Sequence, residues 1–163
     1  MKDLVSQDDK KVVAALDKAD ASGDINTVQP LLHAFRVRKE DSIRDRMRTM
    51  LSSIKISDAE RVFVEELEND ESEVIHADIL GFIWSSGFDP SEKLDVISRI
   101  ATNGDYRAAM EGLTIIELCE GVENERILLE ATLNLRTAID ACEDDTLKAM
   151  YQTMLEALLL LDK

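Results

Sequence analysis

Two stretches decide how this chain folds: residues 28–51, VQPLLHAFRVRKEDSIRDRMRTML, and residues 66–83, ELENDESEVIHADILGFI. In each, apolar residues at helical spacing lead into a polar, acidic turn, after which the spacing resumes. This is the pattern of a helix, a turn and a second helix. Laid one over another, such units match. Phe35, Leu67 and Ile100 fall in one column, Ile43, Ile75 and Tyr106 in a second, and Met47, Ile79 and Met110 in a third, with steps of 31 to 33 residues. A fixed period of that size marks stacked supersecondary units, none of which can bury its apolar face alone.

Working outward, residues 7–22 place Val12, Val13, Leu16 and Ala19 at helical spacing, with Ser6 ahead and Gly23 behind as cap and stop. They predict a helix that covers the open end of the stack. Helix pairs follow over about residues 24–56, 57–88, 89–121 and 122–163. Ser57 with Glu60, and Asp89-Pro90 with Glu92, carry capping-box signals at the starts of the second and third pairs. The fourth pair is stretched, with Leu147, Tyr151, Met154 and Leu158 continuing the pattern of the second helices. Four adjacent leucines at 158–161 cannot all point inward. They are expected to tuck under the preceding pair or to form a homodimer contact through the C-terminal helix.

Composition agrees with an all-helical fold. The apolar fraction is 45%, the aromatic fraction only 4%, and the 163 residues include just six Gly and two Pro, too few for a sandwich or barrel. Formal net charge is −15, which disfavours nucleic acid and anionic membrane as partners. The charge is uneven: residues 1–56 hold 11 Lys/Arg against 9 Asp/Glu, a net +2, whereas residues 57–163 hold 8 against 25, a net −17. Residues 155–161 form the longest strongly apolar run, well below the roughly 20 residues of a membrane span. The polar N-terminus lacks the apolar core of a signal peptide, and the two cysteines, Cys119 and Cys142, make no CxxC or disulfide framework. A cytoplasmic protein is expected.

The unit of leading helix, acidic turn and second helix resembles the HEAT repeat, in the short form also found in phycobilisome-lyase-like proteins. The likeness rests on the two stretches quoted above and covers residues 24–121 well, the rest loosely. It implies a right-handed α-solenoid of about four antiparallel helix pairs. It also implies an acid in the turn and an Arg early in the second helix, forming a ladder between repeats. Asp41 and Arg44 fit this pattern. Glu73 fits the acid, but His76 stands where the Arg belongs; Arg107 fits, with Asp105 one position from the acid; Asp145 and Lys148 take the places in the last pair. Gly81 and Gly112 align inside second helices, where Gly costs about 1 kcal/mol relative to Ala, so each is expected to permit a close approach.

Chemistry of the catalytic kind is not apparent. Glu73-x-x-His76 is half of a carboxylate-bridged metal site without its second half. The helix assignments put the two cysteines and the two histidines in different repeats, and no phosphate-binding glycine loop occurs. No metal, no cofactor and no enzymatic activity are therefore expected. The expected function is protein–protein interaction through the inner surface formed by the second helices, as a scaffold or binding module. Arg44 and Arg48 would select by charge, Leu80 and Trp84 would anchor, and Glu111 would flank them. A basic patch of Arg36, Arg38, Lys39 and Arg46 is a further candidate for an acidic peptide or phosphate. The rival readings are an acidic inhibitor or immunity-like protein that covers a basic partner surface, and a lyase-type enzyme suggested only by the repeat likeness.

Overall fold

A computed structural model describes residues 2–162. The described residues are all-helical, with nine α-helices and no named strand. These are α1 (Asp9–Ser22), α2 (Val28–Val37), α3 (Ser42–Leu51), α4 (Ala59–Leu67), α5 (His76–Ser85), α6 (Leu94–Asn103), α7 (Tyr106–Leu118), α8 (Glu125–Ala141) and α9 (Asp145–Leu159). Short 3-10 turns lead into α2, α5 and α6.

Local chemistry sets most starts. A short Asp carboxylate ahead of a helix reaches back to an orphan backbone N–H in the first turn. Asp41 takes the N–H of Arg44 at 2.8 Å, Asp105 that of Ala108 at 2.9 Å and Asp144 that of Leu147 at 2.8 Å. α5 lacks such a cap: Glu73 lies in a 3-10 turn, and Ile75 occupies the cap position. The expected capping boxes take other forms. No side chain caps α4, and Asp89 instead bonds the Ser91 N–H of the turn before α6. α1 ends on Gly23, whose φ of +56° is the left-handed conformation that favours glycine.

Each helix then buries one face. Phe35, Leu67 and Ile100 are all buried, as are Met47 and Ile79. Helices α2 and α3, α4 and α5, α6 and α7, and α8 and α9 pack against each other. So do α2, α4, α6 and α8 in succession, and α5, α7 and α9 in succession. α1 lies against α3. Phe35, Phe63, Phe82 and Phe88 chain together through the core of the first two pairs, with ring centroids 5.5 to 6.0 Å apart.

The third pair departs from the expected register. Tyr106 and Met110 are 50% and 45% exposed, and Ala108, Ala109, Gly112, Ile115 and Ile116 face inward instead. The cap at Asp105 starts the helix, and packing then rotates the small residues toward α6. A Cβ built on Gly112 would sit 2.5 Å from the Ala101 Cβ, so α6 and α7 meet closely there. Gly81, aligned with it in the sequence, makes no such approach. Its added Cβ would meet only the Glu111 carboxyl, at 3.4 Å. At the C-terminal end, Leu158 and Leu161 are buried while Leu159 and Leu160 are exposed. The Val122 N–H donates to the Leu161 carbonyl at 3.2 Å, tying the loop after α7 to the end of α9.

Candidate functional site

The second helices α3, α5 and α7 carry a continuous network of charge. At its centre is Asp78, nearly buried on α5. It accepts from Arg107 Nη2 of α7 at 2.7 Å and lies 3.6 Å from Arg48 Nε of α3. Arg107 also faces Glu111 at 3.7 Å, and Arg48 faces Asp45 at 3.2 Å and Glu40 at 3.5 Å. A carboxylate shielded from water and shared by two guanidinium groups holds three helices in register. Burial opposes the charge of Arg107, but the hydrogen bond and attraction of Asp78, with Glu111, outweigh it and raise its pKa.

Trp84 completes this cluster. It projects from the last turn of α5, 37% exposed, and its indole N–H donates to Glu111 Oε2 at 2.6 Å. The ring is thus held in one orientation by a partly shielded carboxylate and still presents surface to solvent. Of the residues expected to bind a partner, Arg48, Trp84 and Glu111 meet here.

The other two do not. Leu80 is fully buried. α5 packs against α4, α6 and α7, so its apolar arc includes Leu80 as well as Ile79, Phe82 and Ile83; it has no surface with which to anchor anything. Arg44 is buried also. Its guanidinium lies 3.9 Å above the Phe35 ring, donates from Nε to the Phe35 carbonyl at 2.9 Å, and pairs with Glu40. It is a packing and positioning residue. The ion pairs that link α3, α5 and α7 run through Asp78, which the sequence pattern did not single out, because an Asp two positions into an apolar helix has no distinctive spacing.

The arginines of the basic patch are internally engaged. Arg36 pairs with Glu71 at 3.0 Å and donates to Ser72 Oγ at 3.3 Å; Arg46 pairs with Asp17 at 2.7 Å. Arg38 reaches Asp9 and Asp41, both at 2.7 Å. The hydrogen bond from Arg38, then that from the Arg44 N–H, holds the Asp41 carboxyl below its usual range. Lys39 is exposed and makes no ion pair among the described residues.

The remaining candidates are scattered. His33 accepts from Arg36 Nη2 at 3.0 Å. His76 Nε2 is buried without a hydrogen-bond partner, and burial lowers the His76 pKa. Cys119 is buried and free; desolvation and the neighbouring Asp89 carboxylate push its thiol up to about 12, which disfavours the thiolate at neutral pH. Among the described residues no helix is long and apolar enough to cross a membrane. Comparison with protein-family models, curated proteins and solved structures finds no match to this chain.

Proposed function

We propose that this chain is a HEAT-like, right-handed α-solenoid, with α1 as its cap, that binds another protein through the surface of α3, α5 and α7. One observation carries the reading. The single tryptophan is fixed by Glu111 inside a three-helix ion-pair network, yet more than a third of it stays in contact with water. An aromatic ring already ordered by its own hydrogen bond loses little side-chain entropy on binding, which is how interface anchors gain affinity. Arg48, Arg107 and Glu111, paired among themselves and with Asp78, frame the ring and fix its orientation toward a partner. The two free cysteines support a reducing compartment, the cytoplasm.

Capture of a partner from the native cell extract tests this. Trp84→Ala should abolish capture while the helical circular-dichroism signal is unchanged, and capture by the wild type should survive a rise from about 0.1 to about 1 M salt. Undiminished capture by the Trp84→Ala protein would overturn the proposal. A charge-led reading, in which an acidic chain covers a basic partner, draws support from the unpaired carboxylates of the C-terminal half, and salt separates it: that capture would collapse over the same range.

A further inference from the structure

The ends of α7 and α9 lie side by side. Gly112 of α7 faces Met154 of α9, and past the helix end Val122 is hydrogen-bonded to Leu161, so the residues between run alongside one another. Buried Ile115, Ile116, Cys119, Val122, Leu158 and Leu161 anchor this corner from beneath. At these same two helix ends three leucines are left in solvent: Leu118 at 61%, Leu160 at 80%, and Leu159. Near them in the sequence stand Glu117, Glu120 and Glu156, all exposed and all without an ion pair among the described residues.

We infer that this corner is a second docking surface and that its occupant is a basic amphipathic segment of another protein. Exposed leucines on a preformed helical edge take the apolar face of a partner segment, and unpaired carboxylates around them take its Lys and Arg side chains. Charge decides against the other occupants. A second copy seated symmetrically would bring Glu117, Glu120 and Glu156 onto a like-charged surface. The arginine-rich run of another copy, at 36, 38, 44, 46 and 48, is already paired with that copy's own carboxylates and offers no basic helical face to a head-to-tail contact. Nucleic acid and anionic lipid repel the same carboxylates.

The inference rests on the reading of the chain as a binding module, and its test is separate. The probe is a fluorescein-labelled peptide of about 14 Leu and Lys residues with leucines at helical spacing, titrated with the full-length protein and followed by anisotropy. Saturable binding to the wild type should weaken at least about tenfold in Leu118→Ser/Leu160→Ser and in Glu117→Lys/Glu120→Lys/Glu156→Lys. The control Asp20→Lys/Glu92→Lys, with equally exposed and unpaired carboxylates far along the chain, should stay within about twofold, since diffuse attraction is not local. Equal weakening in the control, or unchanged binding in the leucine variant, overturns the inference. So does a wild type that sediments as a dimer and becomes monomeric only in the leucine variant, which assigns the corner to a second copy. Peptide binding lost in the leucine variant but kept in Trp84→Ala distinguishes this surface from the one on α3, α5 and α7.

Discussion

The two ends of this molecule handle charge in opposite ways. From α1 to α3, acidic and basic residues are nearly balanced, and the arginines are consumed internally: Arg36, Arg38, Arg46 and Arg48 each meet carboxylates from other elements, and Arg44 lies on Phe35. From α7 to α9, carboxylates outnumber cations and most have no counter-ion, while leucines stand exposed beside them. A basic run in a sequence therefore need not be a basic surface. What reaches a partner is the charge left after the fold has paired its own.

The sharpest way to break this contrast is through what each end rests on. Phe35 is fully buried, edge-on to Phe82 and beneath Arg44, so Phe35→Ala should cost about 3–5 kcal/mol in denaturant unfolding. Leu160→Ala, at the solvent-facing end, should change stability by under about 0.5 kcal/mol. Equal effects would mean that the two ends do not differ as described.

The glycines extend the comparison along the chain. Gly112→Ala drives a Cβ against Ala101 and should destabilise by about 1–3 kcal/mol. Gly81→Ala meets only the movable Glu111 carboxyl and should be neutral or stabilising by up to about 1 kcal/mol. Opposite signs in thermal melts are the expected outcome.

Asp78→Asn probes the paired surface itself. It leaves Arg48 and Arg107 facing each other across a neutral amide, and should cost about 1–2 kcal/mol, reduced from the value of a fully buried pair because both arginines are part-exposed. Salt should act the other way at the acidic end: relieving about 1 kcal/mol of self-repulsion would raise Tm by about 2–4 °C between about 0.1 and about 1 M.

The smallest effect concerns His76. Burial lowers its pKa in the folded chain, with Arg99 acting in the same direction and the Asn69 carbonyl, Glu73 and Asp70 opposing. The unfolded chain then binds the proton more readily, so stability is fully present above about 6.5 and declines as pH falls through the lower folded value. His76→Gln should flatten that slope in melts recorded across the range, and an unchanged slope would exclude His76 as its source.

Much of the helix map was legible because it is local. Asp41 and Asp105 announce helix starts through a contact three residues long, the cap of the last helix is Asp144, one residue before the acid expected there, Asp145, and the 32- and 33-residue steps among Phe35, Leu67 and Ile100 mark positions that are all buried. The candidate site was half legible. Arg48, Trp84 and Glu111 share one network, but Asp78 at its centre was missed, and Leu80 proved to be core.

Residue order alone fixes that the chain is helical, where most of its turns fall and that Phe35, Leu67, Met47 and Ile79 are buried, since a 3.6-residue period and a capping carboxylate act within one turn. Packing between distant segments sets the face that α7 turns inward, the burial of Leu80, and which carboxylate each arginine meets. Those choices depend on neighbours tens of residues away, and an apolar stripe one position wider or narrower leaves the same periodic trace.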